Sequence, residues 1–317
     1  MNVDLATLAP TAGRWEFGPE LATYVGPDSM SPADFGLAIG NDRSRISRVR
    51  SGRIRATVLF PQQQSVGRIV FGRDPATNAY FSAGIGGYRF AYVLDEFIPG
   101  TGWRGLRTEG HEPNIATGVP YEIEVQLRGQ RVRLIVNGVN VLEGILPNPM
   151  LGDQFGLFAW GMAPVHFSSF SAELDDPQAF VVTQYGGPHE AFYRDVIEPV
   201  AKETHFKPYR AKDVYRPGVV LDDIIEGLVQ SEVIIAEISP DANGCFNPNV
   251  FYELGYAHAK GKPTILLAKN GTKVPFDVHG HRCILYNDTI AGKDEVVADL
   301  KRHLMGALAE IEKSSQR

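Results

Sequence analysis

The spacing of apolar residues changes once along the chain, and this change limits the fold more than any other feature. Before about Asp175, apolar and polar residues alternate with period two, as over residues 54–60, which is typical of strands with one buried face. After about Ala179, apolar residues recur at helical spacing between short apolar runs. We therefore predict three segments: an all-β domain over residues 1–174, a linker over residues 175–178 and an α/β domain over residues 179–317.

The N-terminal segment contains many short predicted strands separated by Gly, Pro and Asn turns, which predicts an all-β antiparallel sandwich of the jelly-roll type. Strands are expected at residues 123–127, 154–160 and 165–174, and Asn137-Gly138 suits a tight hairpin turn. The order of Tyr121-Glu122-Ile123, this hairpin and residues 156–160 resembles concanavalin A-like, laminin-G-like sandwiches over residues 13–174. Trp15, Trp103 and Trp160 offer rings for stacking on a sugar, but large aromatic residues also fill β cores, and we expect Trp160 to be buried.

The C-terminal segment alternates apolar runs with amphipathic stretches. This alternation predicts a mostly parallel, flavodoxin-like sheet with helices on both faces. The expected strands are residues 180–183, 206–209, 233–238, 264–267 and 283–286.

Residues 247–263, which read NPNVFYELGYAHAKGKP, are the most informative motif. The motif places Glu253 about one turn into a helix that follows a predicted strand, close to the strand ends where α/β sheets bind ligands. A helix N-terminus favours an ionised carboxylate. Asn249, four residues earlier, is expected on the same helical face. Because the residues flanking Glu253 are apolar, a partnered or functional carboxylate is favoured over a surface one.

The run Glu253-Leu254-Gly255-Tyr256-Ala257, followed by Gly261-Lys262-Pro263, resembles the active-site helix of nucleoside 2-deoxyribosyltransferases. It is also similar to the acid-bearing helix of Toll/interleukin-1 receptor (TIR) domains that hydrolyse NAD, and to many predicted bacterial nucleotide-binding proteins. This resemblance covers residues 179–308. It implies that Glu253 is catalytic, that NAD is a substrate rather than a cofactor, and that the context is regulated bacterial antiphage defence.

Further candidate residues follow from their predicted positions at strand ends and loops. Arg210 is the residue type that binds phosphate with two hydrogen bonds, although a surface arginine is an equal alternative. In the transferases an acid commonly stands where Asn247 falls, six residues before the nucleophile, and Asp222 or Asp223 lies near another of their acids. The predicted substrate-binding residues are Tyr185, Gly186, Arg210, Asp223, Ser239, Asp241, Asn247 and Asn249.

The chemistry that fits a lone carboxylate is cleavage of an N-glycosidic bond, because a carboxylate stabilises the cationic ribosyl carbon. The nicotinamide of NAD leaves without a general acid, whereas a neutral base needs protonation from Asp222, Asp223 or Asp241. Since Asn247 replaces an acid, we favour NAD. The alternatives are a non-catalytic module that binds a nucleotide signal, a deoxyribosyltransferase, and a lectin-like protein whose α/β domain only assembles subunits.

Composition excludes other classes of function. The net charge of −6 argues against a nucleic-acid-binding surface, and no apolar run approaches the ~20 residues of a membrane span. The N-terminus lacks signal-peptide features, and Cys245 and Cys283 cannot form a disulfide framework, so a cytoplasmic location is expected. His279 and His281 alone do not make a metal site. We expect homo-oligomers, in which a protein, nucleotide or glycan trigger acts on the sandwich.

Overall fold

The computed structural model describes residues 2–28, 35–40, 51–150, 152–211, 220–278 and 283–313. The chain forms two compact units. The N-terminal unit consists mainly of Met1–Leu146 and Met150–Asp175, and the C-terminal unit consists of Pro147–Pro149 and Asp176–Ile311.

The N-terminal unit consists of two seven-stranded antiparallel sheets. One sheet has the order β1-β4-β13-β6-β7-β8-β9, and the other has the order β12-β11-β10-β5-β14-β3-β2. The strands are β1 (Leu8–Ala12), β2 (Trp15–Phe17), β3 (Leu21–Tyr24), β4 (Phe35–Gly40), β5 (Gly52–Leu59), β6 (Val66–Arg73), β7 (Tyr80–Ile85), β8 (Tyr92–Ile98), β9 (Gly102–Glu109), β10 (Pro120–Arg128), β11 (Arg131–Val136), β12 (Val139–Ile145), β13 (Gln154–Trp160) and β14 (Val165–Leu174).

The alternation seen in the sequence explains the sandwich. In β5 and β11 every second residue is buried, and these residues join those of the facing sheet in one apolar core. The predicted hairpin between β11 and β12 is confirmed, and Asn137 and Gly138 both have positive φ, at 49° and 78°. Positive φ at both central residues is what a type I′ turn requires. The prediction of a β-sandwich is therefore confirmed.

The C-terminal unit contains one five-stranded parallel sheet with the order β16-β15-β17-β18-β19. A helical segment, Gly187–Glu203, follows the first strand, and its middle part, Tyr193–Ile197, is π-helical. The strands and helices are β15 (Gln178–Val182), α1 (Gly187–Phe192), α2 (Glu198–Glu203), β16 (Lys207–Tyr209), α3 (Val220–Gln230), β17 (Val233–Glu237), α4 (Pro248–Ala259), β18 (Thr264–Lys269), β19 (Cys283–Tyr286) and α5 (Ile290–Lys313).

Helices cover both faces of this sheet. Successive strand residues point to opposite faces, and they fall into two separate apolar clusters. One cluster includes residues of α2 and α5, and the other includes residues of α3 and α4. The strands read as continuous apolar runs because both of their faces are buried. The predicted parallel sheet with helices on both faces is confirmed.

The strand order reverses direction between β15 and β17. The chain leaves β15 towards one edge of the sheet and later returns to its other side with β17. In open α/β sheets such a reversal leaves a crevice at the carboxyl ends of the two strands, because the connecting loops diverge there. This crevice is flanked by the β15–α1 and β17–α4 loops, where most of the predicted site residues lie. Among the described helices, none is long and apolar enough to cross a membrane.

Candidate functional site

Glu253 lies on the buried face of α4. It shares that face with Val250, Leu254 and Ala257, the spacing that places side chains on one side of a helix. Glu253 is only 9 % exposed. Its carboxyl group makes no hydrogen bond or ion pair with the residues that the structure describes. Asn249, which we expected on the same face, is instead exposed.

The electrostatic environment of Glu253 differs from the expected one. Burial raises the pKa of this carboxyl group from 4.5 to about 7, so the ionised form is disfavoured rather than favoured. The expectation from the helix N-terminus is wrong because that effect falls off within the first turn. Glu253 lies in the second turn, among apolar side chains. Near neutral pH the group therefore exchanges its proton readily, a property of catalytic acids and bases.

The loop between β17 and α4 is organised by two polar side chains. Asp241 Oδ1 accepts hydrogen bonds from the backbone N–H groups of Cys245, at 2.8 Å, and Asn243, at 2.9 Å. The Cys245 bond is the largest influence lowering the pKa of Asp241. Asn247 is the N-cap of α4, and its Oδ1 accepts from the N–H of Asn249 at 2.9 Å. The oxygen of Asn247 thus has a structural partner that explains its position.

The loop after β15 approaches this loop through Gln184, whose Nε2 donates to the carbonyl of Ser239 at 2.9 Å. Ser239 Oγ accepts from the N–H of Lys269 at 2.8 Å, so its hydroxyl group joins two strand ends. Gly186 has φ 88°, a value suited to glycine, and a side chain at this position would meet open space. Tyr185 is 56 % exposed. Gly186 thus leaves open space beside its backbone in the loop after β15.

Arg210 follows β16 and is buried, so the alternative of a surface arginine is wrong. Its Nη1 donates to both carboxylate oxygens of Glu190, at 3.1 and 3.2 Å, and its guanidinium group lies 3.5 Å from the ring centroid of Tyr193. These contacts hold α1 against the end of β16. Asp223 is buried in the first turn of α3, whereas Asp222 is exposed.

Sequence reasoning missed a second buried carboxylate, Glu237, at the end of β17. This group accepts hydrogen bonds from His189 Nδ1 at 2.8 Å, the Tyr286 hydroxyl at 3.1 Å and the Ser239 N–H at 3.1 Å. The available signal was a single acid ending an otherwise apolar run, VIIAEIS. Because parallel strands buried on both faces are apolar, such an acid needs partners or a function.

The sandwich carries an aromatic pocket of about 230 Å³. Arg68 and Asp95 form a buried ion pair beneath it, and Tyr88, which is 50 % exposed, donates from its hydroxyl to Asp95 at 3.3 Å. Tyr88 and Arg89 both have positive φ, at 52° and 68°, which is uncommon outside glycine and marks ligand sites in many proteins. The pocket is lined by Phe35, Val66, Arg68, Gly87, Tyr88, Asp95, Trp103, Phe158 and Trp160.

Trp160 was expected to be buried, but it is half-buried and lines this pocket. Among the described residues, no group of three or more His, Cys, Asp and Glu side chains could hold a metal ion. His279 and His281 lie outside the described residues.

No known protein-family profile matches the chain, and no curated protein matches it. Solved structures match it at low identity and with low TM-scores. The carbohydrate-binding module CBM66 of Bacillus subtilis has 13% identity and a TM-score of 0.43, over 53% of this chain and 95% of that one. Galectin LEC-6 of Caenorhabditis elegans has 17% identity and a TM-score of 0.32, over 46% and 99%. The apo Crh5 transglycosylase has 12% identity and a TM-score of 0.39, over 56% and 85%.

All three TM-scores lie below 0.5, and we infer neither the fold nor the activity of this chain from these structures. The resemblance of the C-terminal unit to deoxyribosyltransferases and TIR domains is not tested by them and stays a prediction.

Proposed function

We propose that the C-terminal unit cleaves the N-glycosidic bond of NAD or a related nucleotide, with Glu253 as the catalytic carboxylate. The observation that supports this most is a buried carboxyl group that has no partner in the described part of the chain. Such a group destabilises the folded protein, and strongly perturbed carboxyl groups cluster at functional sites. The strand order, which is that of flavodoxin-like sheets, agrees with this proposal.

The raised pKa suits a cationic substrate. When the positively charged nicotinamide riboside of NAD enters an apolar site, it attracts the ionised form of Glu253 and promotes loss of its proton. As the bond between the ribosyl carbon and nicotinamide breaks, its electron pair leaves with nicotinamide, which becomes neutral. The carboxylate stabilises the cationic carbon. Water then adds to this carbon and releases a proton.

A neutral leaving base is less well served. It requires a proton donor, and Asp241 was one of the candidates. Hydrogen bonds from the backbone, above all from the N–H of Cys245, lower the pKa of Asp241, so this residue is ionised at neutral pH. Asn247 offers no acid either. The side chains of the β17–α4 loop therefore favour NAD over a nucleoside or deoxynucleoside as the substrate.

The decisive experiment is to incubate the purified full-length protein with NAD, NADP, nucleosides and deoxynucleosides, and to measure the released base by chromatography. We expect release of nicotinamide. Glu253→Gln, which keeps the shape and removes the charge, should lower the rate by ~10²–10³-fold. Glu295→Gln is the matched control, because Glu295 is exposed on α5. Release at the parent rate by Glu253→Gln would refute the assignment of this residue.

A second candidate function is carbohydrate binding by the sandwich, favoured by its aromatic pocket. Tyr88, Trp103 and Trp160 line this pocket beside the Arg68–Asp95 pair. Aromatic rings and buried charged groups offer apolar and polar contacts to the two sides of a pyranose ring. In the proposed function a glycan held here acts as the trigger that raises NAD cleavage, through assembly of several copies.

This trigger is tested by titrating monosaccharides and short glycans into the full-length protein by calorimetry. Trp160→Ala should abolish any binding, and Met162→Ala, at an exposed residue close by in the chain, should preserve it. NAD turnover per subunit should then rise with glycan and with protein concentration. Binding that survives Trp160→Ala would place the glycan elsewhere.

A further inference from the structure

The three donors around Glu237 come from three different elements of the C-terminal unit. His189 belongs to α1, Tyr286 ends β19, and Ser239 follows β17. The Glu237 side chain is 0% exposed. A carboxylate that accepts hydrogen bonds from a backbone N–H and a hydroxyl group is stabilised in its ionised form. Glu237 accepts in all three contacts, so Nδ1 of His189 is the donor in the contact between these two side chains.

This arrangement fixes the orientation of the imidazole and leaves Nε2 as its second polar atom. Nε2 makes no hydrogen bond with the described residues. The His189 side chain is 12% exposed and lines a cleft of about 460 Å³. A cleft of this volume has the size of a small-ligand site. The geometry resembles that of histidines held by a buried carboxylate, in which the second nitrogen meets a ligand.

The cleft lies between α1 and the start of α5 and has an aromatic side and a polar side. On the aromatic side, the rings of Phe192 and Tyr286 stack with centroids 4.3 Å apart and planes 11° apart. On the polar side lie Asn287, Thr289 and Lys293. Flat rings and polar groups that converge on one cleft suit a ligand with a heterocycle and a charged group.

Some of the charged side chains that line the cleft form ion pairs, and others do not. Asp195 is paired with Arg194 at 2.9 Å, and Asp288 is paired with Lys269 at 3.0 Å. Lys293 forms no ion pair within the described part of the chain, and it acts on Asp195 only at longer range. Lys293 is thus a cationic group available to an anion, and Nε2 of His189 is a second polar contact in the same cleft.

We propose that this cleft is a second ligand site, which binds a nucleoside monophosphate. The base packs beside Phe192, Lys293 pairs with the phosphate, and Nε2 of His189 contacts it while Nδ1 stays hydrogen-bonded to Glu237. Glu237 is a positioning residue. The site is distinct from Glu253, since Glu237 and Tyr286 lie on the face of the sheet covered by α1, α2 and α5, and Glu253 lies on α4 across the sheet. The inference does not depend on NAD cleavage.

The experiment is calorimetric titration of the full-length protein with AMP, adenosine and inorganic phosphate as probes. We expect AMP to bind at one site per chain, at least tenfold more tightly than adenosine or phosphate. Lys293→Gln and His189→Gln should each weaken AMP binding about tenfold, the effect of one charge-assisted hydrogen bond. Lys207→Gln is the matched control, because Lys207 is exposed on β16 at the opposite edge of the sheet.

Histidine side-chain nitrogen NMR supplies an independent readout. Addition of AMP should shift Nε2 of His189 while the Nδ1 resonance keeps its protonated value, and Glu237→Gln should make both nitrogens sensitive. If His189→Gln fails to fold, the exposed Lys293→Gln still decides. Equal affinity for AMP in Lys293→Gln and the parent protein, phosphate binding as tight as AMP binding, or no binding at millimolar AMP would each overturn the proposal.

Discussion

Glu237 and Glu253 are both buried acids in the same unit, but their surroundings are opposite. Glu237 accepts hydrogen bonds from His189, Tyr286 and Ser239. Glu253 has no such partner among the described residues, and its pKa rises to about 7. A buried carboxylate with hydrogen-bond partners fixes the positions of those partners. The ionised form of a buried carboxylate without partners is unfavourable, and binding of a cation stabilises it. Glu237 thus has partners whose positions it fixes, whereas Glu253 has the properties that the proposed function requires of a reacting carboxylate.

The largest expected effect follows from neutralising Glu237. Glu237→Gln removes the charge that His189 and Tyr286 face and places an NH₂ group against at least one donor. Breaking a buried charge network of this kind costs about 3–5 kcal/mol. We expect a clear fall in the melting temperature and faster amide exchange in Val233–Glu237, measured by hydrogen–deuterium exchange. Stability equal to that of the parent protein would show that the carboxylate is replaceable, and that the hydrogen bonds to Glu237 do not distinguish it from Glu253 in stability.

The matching change at Glu253 is expected to act in the opposite direction. The folded protein binds the proton of Glu253 more tightly than the unfolded chain, since the pKa is about 7 instead of 4.5. The stability from this group is therefore fully present below pH 4.5 and is lost as pH rises towards about 7. Glu253→Gln removes this loss, so its stability gain should grow over that range to roughly 3 kcal/mol, at about 1.4 kcal/mol per pKa unit.

Denaturant titrations of both proteins at a series of pH values measure this gain. Glu295→Gln is the control, because an exposed acid should give no such dependence. A gain that is constant with pH, or a loss of stability at high pH, would mean that Glu253 has a partner that stabilises its charge.

The next prediction concerns kcat/KM, which should change about tenfold per pH unit below the pKa of Glu253. If NAD is the substrate and ionised Glu253 is the active form, kcat/KM should rise with pH below about 7 and level off above it, because this parameter reports the free enzyme. A neutral nucleoside needs a protonated acid and should give a profile that falls at high pH. A flat profile for NAD between pH 5 and 8 would separate the titration of Glu253 from catalysis.

The sequence predicted the surroundings of Glu253 better than those of Glu237. The motif around Glu253 identified the helix and its acid, because an acid amid apolar residues at helical spacing is visible locally. The Glu237 cluster joins residues of α1, β17 and β19 that are far apart in the chain, and no local pattern connects His189 with Tyr286. Likewise, the ion pair of Arg210 with Glu190 depends on how α1 packs beside β16. The sequence therefore does not distinguish an arginine that binds phosphate from one that pairs with a carboxylate.

The smallest expected effect concerns Asn247, the N-cap of α4, which is the helix that contains Glu253. Its Oδ1 caps α4 through the N–H of Asn249 at 2.9 Å, so Asn247→Ala should lower the unfolding free energy by about 1 kcal/mol. Asn247→Asp keeps the acceptor oxygen and adds a negative charge at the helix N-terminus, which is favourable there, so its stability should equal or exceed that of the parent protein. The KM for NAD should stay unchanged in Asn247→Asp if the side chain only caps the helix. Asn140→Ala, at an exposed residue of the sandwich, is the control for both measurements. A large change of KM in Asn247→Asp at full stability would show that this side chain contacts the substrate, as the sequence predicted, and that the cap and the binding site are one feature.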